Sequence, residues 1–334
     1  MIFIPIRNNV ASHALKGSEP ILWALDYLFN GLPDFTTAYK CISSNSITSD
    51  VSSLLGVVTS ATSLPDLRSE IGLPNTRLAV ILYYALVLLV GLTAVLIFSP
   101  RIEVDTRRKI FHAIVVCMFL PTVFVDPCFC ALALSLVLAI FLILEIVRAG
   151  QVQPFGAIIG RFLVPYVDGR DLRGPMVVSH VFLLIGCAIP FWLSCATFQR
   201  DDSGWELVGD RREVAMLSGV VCVGMGDAAA SLIGRRFGRT KWPWIGGKSL
   251  EGSLAFAIAV CAGLSFVKLW LRVGGWTDVN AMIGVTSTVE AAVFVVKALL
   301  AGCAASFMEA VLTGANDNVV VPIALWLLCR GLQL

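Results

Sequence analysis

Charge is what this chain has least of. Asp, Glu, Lys and Arg supply only 14% of its 334 residues while apolar types supply 57%, whereas a soluble domain carries about 25% charged side chains. That balance excludes an ordinary water-soluble fold, while a net charge of +2 says little by itself and no nucleic-acid partner is expected. Metal-type cysteine spacing is also missing. There are ten cysteines but no Cys-x-x-Cys, and Cys128-x-Cys130 stands alone. A zinc ribbon or dithiol redox pair is thereby excluded, and the cysteines, most of them inside apolar runs, read as small hydrophobes. No internal repeat is present. The opening MIFIPIRNNV has too short an apolar run to read as a signal peptide.

Long apolar runs are what the chain has instead. They fall at 78–98, 110–125, 127–147, 176–196, 214–233, 250–270, 289–310 and 319–334. A bilayer core requires about 20 apolar helical residues, and backbone groups in lipid must be satisfied within the segment, which favours helices over strands. The expectation is an all-α, polytopic transmembrane bundle of about eight spans. Residues 1–76 are a polar leader with one amphipathic piece, ILWALDYLFNGL, and 77–334 form the membrane-embedded domain. With eight crossings, loops 99–109, 148–175, 234–249 and 311–318 share one face. The first three are basic, and 234–249 holds Arg235, Arg236, Arg239, Lys241 and Lys248 with no acid. Loop 198–213, rich in Asp and Glu, lies on the other face, so the basic loops are expected in the cytoplasm.

One basic stretch, Gly224–Ser253, reads GMGDAAASLIGRRFGRTKWPWIGGKSLEGS. Its start fits G-x-G-x-x-A, but a dinucleotide turn needs a strand before it, and here an apolar helix runs straight through. Its end imitates a phosphate loop, but the first Gly of that pattern is replaced by Trp242. Both soluble motifs therefore fail. What remains is Asp227, beside Gly226, in an apolar helix, where a carboxylate is costly unless paired or cation-bound. Its plain alternative is a polar packing residue among small neighbours. Further on, Lys248 and Ser249 open a new helix, whose free N–H groups and positive dipole end favour an anion. Gly246 and Gly247 would let that anion approach the backbone. Glu251 reads either as a dipole partner or as a partner of a metal or lysine. Gly234, Arg235, Arg236, Gly238 and Arg239 suit a loop around a polyphosphate, or mark topology alone.

Three more polar clusters share that face. Arg107, Arg108 and Lys109 lead into a helix in which Lys109 and His112 occupy one side. Tyr166–Pro175 is a charged turn containing Asp168 and Arg173, followed by Ser179 and His180. Glu309 and the pair Asp317 and Asn318 bracket the last loop. Each has a bland reading as membrane anchor, solvated turn or helix cap. Together they suit phosphoryl or nucleotidyl transfer at a membrane surface, with Asp227 and Asp317 holding Mg²⁺ and Lys248 and the arginines holding phosphates. Catalysis would then rest on Asp227, Lys248 and Asp317, mostly through positioning and charge stabilisation.

RRKIFH, DGRDLRGPMVVSHVFLLIGCAIPFWL, GMGDAAASLIGRRFG, KWPWIGGKSLEGS and EAVLTGANDNVVVP occur in that order. Over about 107–334 the chain resembles the carboxy-terminal catalytic half of the dolichol kinases. The resemblance implies an endoplasmic-reticulum membrane enzyme that phosphorylates dolichol with CTP to make the sugar carrier of N-glycosylation. It also implies a nucleotide-binding segment at roughly Gly234–Glu251, with Asp227 before it and Asp317 and Asn318 after it. Arg108, Lys109, His112, Asp168, Arg173, His180, Glu309 and Asn318 are expected to serve the acceptor or support the site. Family members often carry several further spans in front, where this chain has its 76-residue leader. A phytol or diacylglycerol kinase shares the glycine-rich stretch and is the second enzymatic reading. A small transporter is the non-enzymatic one, with Asp227, Glu290 and Lys297 as intramembrane charges. Glu290 and Lys297, seven apart, share a helical face and would then pair with each other or line a pathway.

Overall fold

The computed structural model describes residues 3–29, 63–98, 104–163, 179–201, 205–244, 246–281, 286–312 and 316–334. Their regular structure is almost wholly helical, and the chain divides into two units, Met1–Tyr84 and Ala85–Leu334.

The first unit holds α1 (Phe3–His13), α2 (Pro20–Phe29), α3 (Leu64–Ile71) and the start of α4 (Leu73–Phe98). The described part of the leader's amphipathic piece, residues 21–29, is helical within α2. Ser63 caps α3 by accepting from the Asp66 N–H, which satisfies one of the free donors of a helix start. Arg77 Nη1 donates to the Tyr27 carbonyl at 2.5 Å, and its guanidinium lies 3.7 Å from the Tyr27 ring centre.

The second unit contains α5 (Val104–Thr122), α6 (Pro127–Ala149), α7 (Phe155–Leu163) and α8 (Ser179–Thr197). After these come a 3₁₀ turn at Val214–Leu217, a π-helical segment at Val220–Asp227, α9 (Ala228–Phe237), α10 (Leu250–Val273), α11 (Ser287–Val311) and α12 (Asp317–Gly331). Among the described residues five helices are long and apolar enough to cross a membrane: α4, α6, α8, α10 and α11. The other three expected crossings are helical but built differently. The α5 helix takes in the basic cluster at Arg107–Lys109 and contains Pro121. Segment 214–237 changes pitch twice, and α12 has only 15 residues with Pro322 inside. Hydropathy registers apolar content, not local pitch or helix length, so the eight-span count is approximate. The chain is nonetheless a multi-pass, nearly all-helical membrane protein.

The helices sort their ends into two layers. At one end Arg212, only 1% exposed, donates to the carbonyls of Phe124, Gly209 and Arg211. There Arg211–Arg212 (β1) also pairs in parallel with Thr277–Asp278 (β2), a connection without sequence signal. Arg330 meets Glu213 and Thr197, and Asn280 reaches the Leu334 carbonyl. Lys268 pairs with Asp278 and Glu290, and Arg272 also pairs with Glu290. Glu290 thus turns to α10, not to Lys297, whose ammonium points to the Gln333 carbonyl at 3.5 Å. The opposite layer gathers the start of α5, the end of the π-helical segment, the starts of α10 and α12, and the end of α11. Close helix contacts fix this arrangement. A Cβ on Gly252 would lie 3.0 Å from the Ala230 carbonyl, and one on Gly302 would lie 2.8 Å from that of Ala257. Small residues allow such approach in membrane bundles.

Candidate active site

At that second layer lies an open cleft of about 850 Å³, within the range of small-molecule sites. Each helix contributes along one face. Arg108, Lys109 and His112 come from α5. Asp227, the last residue of the π-helical segment, is followed at helical spacing by Ala230, Ser231 and Gly234 of α9. Ser249, Gly252 and Ser253 are likewise at helical spacing on α10, and Glu309, Asp317 and Asn318 come from α11 and α12. The cleft is lined by five cationic side chains, Arg108, Lys109, Arg235, Lys241 and Lys248, against three carboxylates, Asp227, Glu309 and Asp317. That excess favours a multiply charged anion.

Two ion-pair groups organise the cleft. Lys109 Nζ lies 2.6 Å from Asp227 Oδ2. His112 Nδ1 lies 3.6 Å from the same oxygen and 2.8 Å from the Val223 carbonyl. A carbonyl only accepts, so in that contact Nδ1 carries the proton and Nε2 of the neutral ring is the acceptor. Val223 belongs to the π-helical segment, a widened turn that is frequent at functional sites. On the far wall Lys248 Nζ meets Glu309 Oε1 at 2.8 Å, the Glu309 carbonyl at 2.5 Å and Asp317 Oδ2 at 3.1 Å. Burial opposes the Lys248 charge, but the Glu309 and Asp317 carboxylates outweigh it and hold the ammonium above the ordinary lysine pKa.

The loop between α9 and α10 is a small hairpin-like turn. Trp242 N–H donates to the Lys248 carbonyl at 3.1 Å and Leu250 N–H to that of Thr240 at 2.9 Å. Gly246 and Gly247, with φ of 147° and 69°, make the reversal that other residues resist. The Trp242 and Trp244 rings stack at 4.6 Å, and their indole N–H groups donate to Ser253 Oγ and the Ala310 carbonyl. KWPW thereby pins the loop to α10 and α11. Ser249 Oγ caps α10 by accepting from Gly252 N–H at 3.1 Å. This corrects the expectation of free N–H groups at that helix start: the Leu250 and Gly252 donors are taken by the chain itself. The anion-attracting features are the cationic side chains and the dipole end.

Thirteen expected residues line the cleft: Arg108, Lys109, His112, Asp227, Gly234, Arg235, Gly238, Gly247, Lys248, Ser249, Glu309, Asp317 and Asn318. Others stand elsewhere. Gly226 packs on Phe256 and Val260, where a Cβ would lie 3.0 and 2.9 Å from their side chains. Arg236 and Arg239 are exposed outside the lining, Gly246 serves the turn, and Glu251 accepts from Thr240 N–H at 3.0 Å. His180 borders an adjoining crevice. Asp168 and Arg173 lie outside the described residues. Ala230, Ser231, Lys241, Gly252 and Ser253 are lining residues that sequence reasoning missed, although all but Lys241 fall on the helical faces of Asp227 and Ser249. Among the described residues no group of three or more His, Cys, Asp or Glu is placed to hold a metal. Mg²⁺ commonly needs only one or two carboxylates beside water and phosphate oxygens. Asp227 and Asp317 are two carboxylates of the cleft, which matches that donor number.

Comparison with known proteins points to the same family as the resemblance. The chain is 38% identical over 237 residues to a dolichol kinase of Schizosaccharomyces pombe, covering 71% of this chain and 41% of that protein. It is 32% identical over 228 residues to a dolichol kinase of Arabidopsis thaliana and 31% over 225 residues to that of Homo sapiens. These matches cover 65% and 66% of this chain and 37% of each relative. No family model and no solved structure matches. The chain thus spans about two fifths of the length of the curated relatives it matches, and over that shared part its sequence is similar to those of the dolichol kinases.

Proposed function

We propose that this chain carries the phosphotransfer site of a dolichol kinase, which uses CTP to convert dolichol to dolichyl phosphate at the endoplasmic-reticulum membrane, with the cleft facing the cytoplasm. The observation that carries the reading is a single cleft at one end of an apolar bundle that joins Lys109–Asp227 to Lys248–Glu309–Asp317. A lipid alcohol can approach such a cleft from the bilayer and a nucleotide from water. The acceptor oxygen attacks the terminal phosphorus of the nucleotide. The new O–P bond forms as the bridging bond to the nucleoside diphosphate breaks, and a carboxylate of the cleft receives the hydroxyl proton. Lys109 and Lys248 steady the carboxylates and face the charge that moves onto the leaving diphosphate. The magnesium that accompanies a nucleotide supplies charge neutralisation, and Asp227 and Asp317 are the carboxylates that would hold it.

The test is transfer by purified protein in detergent, offered dolichol, phytol and diacylglycerol, each with CTP and with ATP. Dolichyl phosphate from CTP is the expected product. Preference for phytol or diacylglycerol would overturn the acceptor assignment, and preference for ATP the donor assignment. The ion pairs of Glu290 with Lys268 and Arg272 in the opposite layer count against the transporter reading.

A further inference from the structure

A lipid alcohol can reach a cleft at the end of a bundle by passing between helices, and among the described residues several seams around Asp227 are closely packed. The α9–α10 and α10–α11 seams are closed by the backbone contacts of Gly252 and Gly302 described above. Between α8 and α12, a Cβ on Gly186 would lie 2.0 Å from the Asn318 carbonyl. Between α5 and the π-helical segment, one on Gly224 would lie 2.3 Å from Val116 Cγ2, and His112 bonds the Val223 carbonyl. Lys248 ties α11 to α12 through Glu309 and Asp317.

The seam between α5 and α8 is different. There the Phe111 and His180 rings meet edge to face with centroids 6.0 Å apart. Beside them is a crevice of about 20 Å³ lined by Arg108, Phe111, His112, His180, Leu183 and Asn318. Arg108, His112 and Asn318 also line the large cleft, so crevice and cleft share a wall. The volume suits one hydroxyl-sized group, since a water needs roughly 10–15 Å³ by this measure. Its walls are polar towards the cleft and apolar at Phe111 and Leu183. That graded lining matches the end of a long hydrocarbon alcohol, and a nucleotide would find no reason to use it.

We propose that the acceptor alcohol reaches the site through the α5–α8 seam, seating its hydroxyl in this crevice with Phe111 and Leu183 against its first hydrocarbon unit and His180 as a positioning residue. This rests on the kinase reading above. The test is steady-state kinetics of purified protein in micelles, varying dolichol at saturating CTP and CTP at saturating dolichol. Leu183→Trp fills the crevice and is expected to raise the acceptor KM at least about tenfold while leaving the CTP KM within about twofold. Phe111→Ala, which removes a wall without adding bulk, keeps the question answerable if Leu183→Trp does not fold, and is expected to raise the acceptor KM several-fold with the CTP KM unmoved. Leu193→Trp, on an exposed part of α8, is expected to change neither. Wild-type acceptor KM in a folded Leu183→Trp or Phe111→Ala protein would overturn the α5–α8 route while leaving the kinase reading intact. A wild-type protein that phosphorylates no alcohol would overturn both.

Discussion

Lys109 and Asp227 are joined by a 2.6 Å ion pair although 118 residues separate them. The contact docks the basic start of α5 on the one acid of the π-helical segment, and it turns a costly carboxylate into a held one. The pair is only partly exposed, with 15% and 30% of the two side chains accessible, so the charges are weakly screened.

Replacing Asp227 by Asn keeps shape and hydrogen bonding but removes the charge. Transfer activity is expected to fall at least about 100-fold, the scale of losing one electrostatic contact to a transition state. The thermal midpoint in detergent should move little. Lys109→Met instead leaves the carboxylate uncompensated and is expected to cost about 1–3 kcal/mol of stability as well as activity. Full turnover in a folded Asp227→Asn protein would remove Asp227 from the reaction.

Lys248 gives a pH signature. Its pKa is raised above the ordinary 10.5, so the stabilisation from its two acids is fully present below that value. It is lost only as the pH rises through the folded-state pKa. The difference in thermal midpoint between wild type and Lys248→Met should therefore stay constant from about pH 6 to about pH 9 and shrink only in stronger alkali. A difference that fades near pH 8 would mean that Glu309 and Asp317 do not hold the ammonium.

Much of this site is legible in the sequence because helical spacing is. Lys109 and His112, Asp227 with Ser231 and Gly234, and Ser249 with Gly252 each fall on one face by period alone. What the sequence hides is pitch and partnership. VVCVGMGD carries no mark that it widens into a π-helix, and nothing local says that Glu290 selects Arg272 and Lys268 over Lys297. Arg212 counts as a loop cation in a topology argument, yet it is buried on three carbonyls. These choices are made by tertiary contacts that no window of residues contains.

At the end of the bundle away from the cleft, Lys268 is buried between Asp278 and Glu290. Removing the ammonium in Lys268→Met takes away the lysine partner of Asp278 and leaves Glu290 with Arg272, and a drop of about 3–5 kcal/mol is expected, as for breaking other buried pairs. Turnover per folded molecule should match wild type, because nothing there touches the cleft. A stable Lys268→Met protein would show that the group is solvated, as a solute pathway requires.

The α9–α10 contact separates packing from capping. Ser249→Ala removes the Oγ that accepts from Gly252 N–H, and loss of such a cap costs about 0.5–2 kcal/mol without pushing the helices apart. Gly252→Val places a branched side chain where a single Cβ already lies 3.0 Å from the Ala230 carbonyl and 3.2 Å from Gly234 Cα. Those atoms are backbone and cannot swing aside, so α9 must shift, at about 1–3 kcal/mol. That shift carries Asp227 and Gly234 away from Lys248. The nucleotide KM is therefore expected to rise in Gly252→Val far more than in Ser249→Ala at equal loss of stability. Equal KM values in the two variants would mean that the spacing of α9 and α10 does not set the width of the cleft.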